Sequence, residues 1–208
     1  MGKTLVDAEA RMNIYFCQNA PTPWGDWGSA LIHGLIGWDE TTDVDSIERA
    51  GPFTPPAYIC WGSLIFTHPI KEALEASELK GIRYEHLEKT HIVRIDWQDW
   101  DVNKPITDYI DLDGGPSSII EGFEHDPSLA RQMPDYWRAL VTGRLNLRTV
   151  PEQESNGLSS YLQILKADNA DFFKADVHGG YFVSEKAKTW LNRHCPGCFN
   201  FLPIHLAK

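Results

Sequence analysis

The feature that most limits what this chain can fold into is a self-similarity 117 residues apart. Residues 62–87 read GSLIFTHPIKEALEASELKGIRYEHL, and residues 179–204 read GGYFVSEKAKTWLNRHCPGCFNFLPI. Without a gap, Gly62 aligns with Gly179, Thr67 with Ser184, Lys71 with Lys188 and Leu74 with Leu191, while Ile82, Tyr84 and Leu87 align with Phe199, Phe201 and Ile204. Each copy reads as a short apolar strand, a hydroxyl residue able to cap a helix, about three helical turns, a tight turn and a second strand.

Local chemistry agrees. Thr67 and Ser184 can accept from orphan amides of a first turn, Glu185 suits a positive helix start, and Pro69 is tolerated there. Ile70, Ala73, Leu74 and Ser77 share one helical face, and Lys71, Glu72, Glu75 and Glu78 the other. Gly81 and the Pro196-Gly197 pair suit the turns that follow.

Elsewhere Met12–Cys17, His91–Trp97 and Ser159–Lys166 read as strands, and SLARQMPDYWRALVTG as a helix interrupted near Pro134. Thr54–Ala57 and Pro151–Gly157 read as loops. The irregular mixture predicts an α+β fold, a mixed sheet with helices holding two related strand-helix-strand units. The 208 residues suit one domain, with subdomains at about 12–105 and 158–206 and a joint sheet between the halves.

Composition narrows function more than fold. With 19 Lys+Arg against 29 Asp+Glu the net charge is -10, which disfavours nucleic acid and anionic membranes and favours a basic partner. No apolar run reaches the roughly 18 residues of a membrane span, and MGKTLVDAEA lacks the apolar core of a secretory signal, so a cytoplasmic location is expected. HExxH, GxSxG, Walker and GxGxxG motifs do not occur, which lowers the expectation of a common hydrolase or nucleotide enzyme.

The charge is uneven. Residues 96–126 hold nine acids and one cation, Lys104, and so carry -8 of the -10. Asp96, Asp99, Asp101, Asp108, Asp111 and Asp113 alternate with Trp97, Trp100 and Tyr109, and Phe123 follows among Glu121, Glu124 and Asp126. Aromatic anchors in a charged rim are the composition of a protein-binding surface, and the field would speed capture of a basic partner. The competing reading turns the aromatics into the core and leaves the acids as a solvated face.

Cys195-Pro-Gly-Cys198 is the sharpest local motif. Two thiols at this spacing can share zinc, with His194 or His205 completing the ligands because Cys17 and Cys60 form no second pair. They can also form a redox disulfide, although here they follow a helix rather than open one, or simply bracket a turn. Glu121, Glu124, His125 and Asp126 could hold a hard metal or solvate a surface, and Asp113–Ser117 (DGGPS) could cradle an anion or form a plain turn.

The closing segment YFVSEKAKTWLNRHCPGCFNFLPIHL resembles the tail of a family of bacterial immunity proteins associated with polymorphic toxins, through Val183-Ser184, Phe199, Phe201 and Pro203-Ile204. A related family carries paired Cys-x-x-Cys-Gly motifs; this chain has one pair, followed by Phe199 rather than Gly. The resemblance implies a cytoplasmic protein that neutralises a cognate toxin stoichiometrically, without a cofactor, by covering its active site or holding it inactive.

Overall fold

SLIFT (63–67) carries no charge, and YFVS (181–184) likewise; both stretches are wholly buried, as strands covered on two faces must be. The structure is a computed structural model that describes residues 13–21, 34, 36–39, 44–51, 55–94, 122–149, 162–176 and 178–206. These residues form β1 (Ile14–Asn19), β2 (Ile36–Asp39), β3 (Val44–Ala50), β4 (Ala57–Cys60), β5 (Ser63–Thr67), α1 (His68–Glu75), β6 (Ile82–Leu87) and β7 (Lys89–Arg94). There follow α2 (Pro127–Gln132), β8 (Tyr136–Val141), β9 (Gly143–Thr149), β10 (Leu162–Ala167), β11 (Phe172–Ala175), β12 (Tyr181–Ser184), α3 (Glu185–His194) and β13 (Phe199–Leu206). The class is α+β, dominated by strands.

Those strands are shared among three sheets rather than gathered in a joint one. A closed barrel runs β1-β12-β11-β9-β10-β13, a four-stranded sheet β4-β5-β8-β6 and a three-stranded sheet β2-β3-β7. In the four-stranded sheet β8 lies antiparallel between β5 and β6; in the barrel β1 lies antiparallel between β12 and β13. The helices α1 and α3 therefore each link two strands that a third strand, distant in sequence, separates.

Pairings recur at fixed spacings. Ile47 faces Lys89 and Ile164 faces Leu206, both members 117 further on. Tyr136 pairs with Thr67 and Leu87, and Ile14 with Ser184 and Ile204; 67 to 184 and 87 to 204 are again 117, while 14 to 136 is 122. Loop contacts follow the same spacings. The Thr142 N–H donates to the Gly81 carbonyl at 2.9 Å, and the Ala20 N–H to Cys198 at 2.9 Å; His68 donates to Asp135 at 2.9 Å, and Glu185 to Asn13 at 3.1 Å.

Three apolar clusters hold these sheets. One, with Ile36, Ile47, Tyr58, Ile65, Leu87 and Tyr136, fills the N-terminal side under α2. Another, with Ile14, Leu147, Ile164, Phe173, Phe182 and Ile204, fills the barrel. The central cluster joins both regions and both linking helices through Leu64, Phe66, Leu74, Phe172, Tyr181, Val183 and Leu191. Burial of this order is the main stabilising contribution.

Two local expectations need correction. The stretch after Pro134 is β8, not a resumed helix: Tyr136, Trp137 and Val141 favour a strand, and cross-strand pairing to β5 and β6 overrides the helical spacing. Thr67 occupies the N-cap of α1 but makes no capping bond, and its hydroxyl donates to the Pro56 carbonyl at 3.2 Å; Ser184 does cap α3, accepting from Ala187 at 3.1 Å. The boundaries 12–105 and 158–206 leave β8 and β9 outside both halves, although β5 and β6 depend on β8.

Candidate interaction surface

Asp96, Trp97, Asp99, Trp100, Asp101, Asp108, Asp111 and Asp113 lie outside the described residues, as do Gly114–Ser117 and Glu121. The stretch is described from Gly122 onward. There Phe123 is 63% exposed, beside exposed Glu124 and Asp126. The backbone is fixed from β7: His125 Nδ1 accepts the Ile92 N–H at 2.8 Å, and the Asp126 N–H donates to the Ile92 carbonyl at 2.8 Å. Asp126 then caps α2, accepting from Ser128 at 2.8 Å and Leu129 at 2.9 Å, and the bond from Leu129 leads the causes that hold its carboxyl below the usual range. Asp126 and His125 thus serve the backbone. Among the described residues no group of three or more His, Cys, Asp and Glu is placed to share a metal.

The cysteines sit in the interior. Cys195 and Cys17 are buried in the central cluster, Cys198 packs against it, and no disulfide joins any of the four. Burial pushes the Cys195 thiol up to about 12 and raises Cys198 and Cys17 as well, the reverse of what a reactive thiolate needs. The Cys198 N–H closes a turn on the Cys195 carbonyl at 3.2 Å. His194 stacks on Trp190 with ring centroids 3.9 Å apart, and the His205 side chain lies outside the described residues.

An open groove of ≈ 380 Å³ lies beside α1, lined among others by Lys71, Glu75, Arg83, Tyr84 and Trp137. Lys71 sits 4.4 Å over the Trp137 ring and pairs with Glu75 at 2.7 Å, while the buried Tyr84 hydroxyl has no hydrogen-bond partner.

The most exposed large apolar side chain described is Trp61, at 86%. It sits with Gly62 at the tip of the β4–β5 hairpin, where Cys60 faces Ser63. Both tip residues have positive φ, +49° and +76°, as a two-residue type I′ turn requires. Asn or Gly normally takes the first position, and Trp61 is the sole non-glycine with positive φ among the described residues. The hairpin beneath is held firmly. The Tyr181 hydroxyl donates to the Gly62 carbonyl and accepts the Leu64 N–H, each at 2.9 Å, and the Asn19 side chain takes both the N–H and the carbonyl of Ile59 at 2.8 Å.

A charged network lies under the tip. Arg138 donates through Nε to Glu85 at 2.9 Å and pairs with Asp45 at 2.5 Å, and the Ser63 hydroxyl donates to Asp45 at 3.3 Å. Ser63 is buried, while the three charged side chains are partly exposed, Asp45 least at 19%. Sequence reasoning passed over Trp61, Asp45, Glu85 and Arg138. The available signal was Trp-Gly between the apolar runs AYIC and SLIFT, a place where a hairpin demands left-handed backbone.

Comparisons with known protein families, with characterised proteins and with solved structures each return no match. No helix among the described residues is long and apolar enough to cross a membrane.

Proposed function

We propose that the protein acts by binding: a stoichiometric inhibitor of a basic protein, of the immunity type, using the acidic and aromatic stretch 96–126. The observation that carries this reading is Phe123, a large aromatic left 63% exposed between carboxylates instead of turned into the core. An aromatic in that setting has the make-up of a binding anchor, and the net charge of -10 would draw in a basic partner. Asp96, Trp97, Asp99, Trp100, Asp101, Asp108, Asp111 and Asp113 are the contact residues of this proposal, which needs no cofactor and suits a cytoplasmic protein. Raised thiols at Cys195 and Cys198 weigh against the alternative of a redox protein.

Affinity capture at low and moderate salt, followed by titration of the purified partner, tests the reading. Asp96→Asn, Asp99→Asn and Asp101→Asn together should slow association and flatten its salt dependence. Unchanged association would remove this stretch from the interface.

We infer also that residues 62–87 and 179–204 belong to two related halves, about 13–94 and 136–206, whose first strands have changed places. β1 corresponds to β8 at a spacing of 122, yet β1 completes the β12–β13 pair and β8 the β5–β6 pair. Recurrence of registers and loop hydrogen bonds at the same spacings supports this, as do the paired contacts of Lys71 over Trp137 and Lys188 over Tyr15.

A further inference from the structure

If the halves are related, each position in one can be compared with its counterpart in the other, and the differences converge on one place. Arg138 faces Glu85 across β8 and β6; at the matching points of β1 and β13, Phe16 faces Leu202. Asp45 corresponds to the buried Leu162, and Ser63 to Gly180, where a Cβ would stand 2.6 Å from Phe16. The Trp61-Gly62 turn is matched by a loop two residues longer, since β11 pairs with β12 two residues out of step from the way β4 pairs with β5; in that loop His178 lies flat on Phe16 with centroids 5.5 Å apart and a 10° interplanar angle, and meets Phe182 edge-on. The C-terminal half closes this end of its sheet with stacked rings. In the N-terminal half the same positions carry an ion network, and the aromatic, deprived of a ring to lie on, points into solvent. Leu140, 41% exposed, adds apolar area two residues along β8 from Arg138.

Stability accounts poorly for this divergence. A bulky residue at a left-handed turn position is unfavourable, a solvent-exposed indole gains nothing from burial, and apolar closure is available, as the other half demonstrates. A rigid hairpin presenting a single indole beside partly exposed carboxylates is instead the make-up of a preorganised binding anchor.

We propose that Trp61, with Leu140 and the Asp45–Arg138–Glu85 network, is a protein-docking surface whose occupant offers an apolar pocket for the indole and Lys or Arg side chains toward Asp45 and Glu85. This rests on the reading of the protein as a binder of a basic protein, and it places the anchor at the hairpin tip, apart from 96–126.

The test compares four full-length proteins: wild type, Trp61→Asn, Leu165→Asn as an exposed control in the other half, and the triple variant D96N/D99N/D101N. Each serves as bait in source lysate, and any basic protein retained by wild type is purified and titrated against all four. Expected is a loss of affinity of at least about tenfold for Trp61→Asn, none for Leu165→Asn, and a Trp61→Asn melting temperature equal to or above wild type, since Asn-Gly is the preferred type I′ pair. A basic partner bound equally by Trp61→Asn overturns the docking surface and leaves the binding reading standing. A marked fall in its melting temperature assigns Trp61 to the fold and likewise overturns the proposal. Retention of no basic protein by wild type overturns the binding reading itself, and the surface with it.

Discussion

The Tyr181 hydroxyl accepts the Leu64 backbone N–H at 2.9 Å, from a position 117 residues further along the chain. In the proposed relation of the two halves these residues are counterparts, and the bond would then join matching strands. Because the same hydroxyl donates to Gly62, Tyr181→Phe leaves a buried amide and a carbonyl without partners. The expected cost is about 1–3 kcal/mol in denaturant unfolding, with faster proteolysis at the Trp61 hairpin. Unchanged stability would mean that water replaces the phenol at both groups.

The helix starts provide a matched pair. Ser184 caps α3 and donates to Asp171 at 2.6 Å, whereas Thr67 makes no cap. Ser184→Ala should cost roughly 1–2 kcal/mol and Thr67→Ala clearly less. Chemical denaturation of both variants checks the order, and equal losses would contradict the geometry of the α1 start.

The proposed exchange of first strands predicts how a cut chain behaves. A protease site placed within residues 100–118 separates β1 and β4–β7 from α2 and everything after it. The fragments should stay together through β1 in the barrel and β8 in the four-stranded sheet. Gel filtration of the cleaved protein is expected to show one species of unchanged size under native conditions. Separation of the fragments would argue that each half completes its own sheet.

Three carboxyls are held below their ordinary range: Asp126 by the Leu129 amide, Asp135 by the Lys89 ammonium at 2.9 Å, and Glu185 by the Tyr15 hydroxyl. A depressed folded pKa contributes stability above the unfolded value, near 4, and loses it as pH falls through the folded value. Melting temperature should therefore stay level from neutral pH to about 5 and drop below about 4. Asp126→Asn should soften that acid limb while leaving the neutral plateau nearly in place.

Recasting the charged end of the N-terminal half in the residues of its counterpart separates stability from binding. Arg138→Phe with Asp45→Leu, Glu85→Leu and Ser63→Gly reproduces the Phe16, Leu162, Leu202 and Gly180 set. Replacement of a complete, partly buried ion network by apolar groups is commonly neutral or stabilising by about 1–4 kcal/mol, whereas Arg138→Met alone strands two carboxylates and should destabilise. Urea unfolding of the two variants measures the contrast.

What the sequence discloses about this fold follows from locality. Thr67-Pro69 and Ser184-Glu185 mark both helix starts, and the alignment at 117 carries the flanking strands with them, because capping and short-range apolar spacing are written in neighbouring residues. Hydroxyl preference alone could not say that Thr67 would turn to Pro56, the residue just before β4. Insertion of β8 and β1 was illegible for a stronger reason: nothing near Tyr136 or Ile14 specifies a partner, and the pairings depend on faces that exist only after folding. The same holds for Trp61, whose exposure stands out only against His178 stacked on Phe16.

Placement of β1 between β12 and β13 also orders events during synthesis. The strand at 14–19 is made well over a hundred residues before its neighbours at 181–184 and 199–206. Until then its edges and its apolar face have nothing native to cover them, and β5 and β6 wait in the same way for β8. The barrel can close only once nearly the whole described chain has been made, and pairing across such separations is slow. A nascent chain of this design is a natural client for holding chaperones, and its yield in cells should respond to their supply more steeply than its equilibrium stability would suggest.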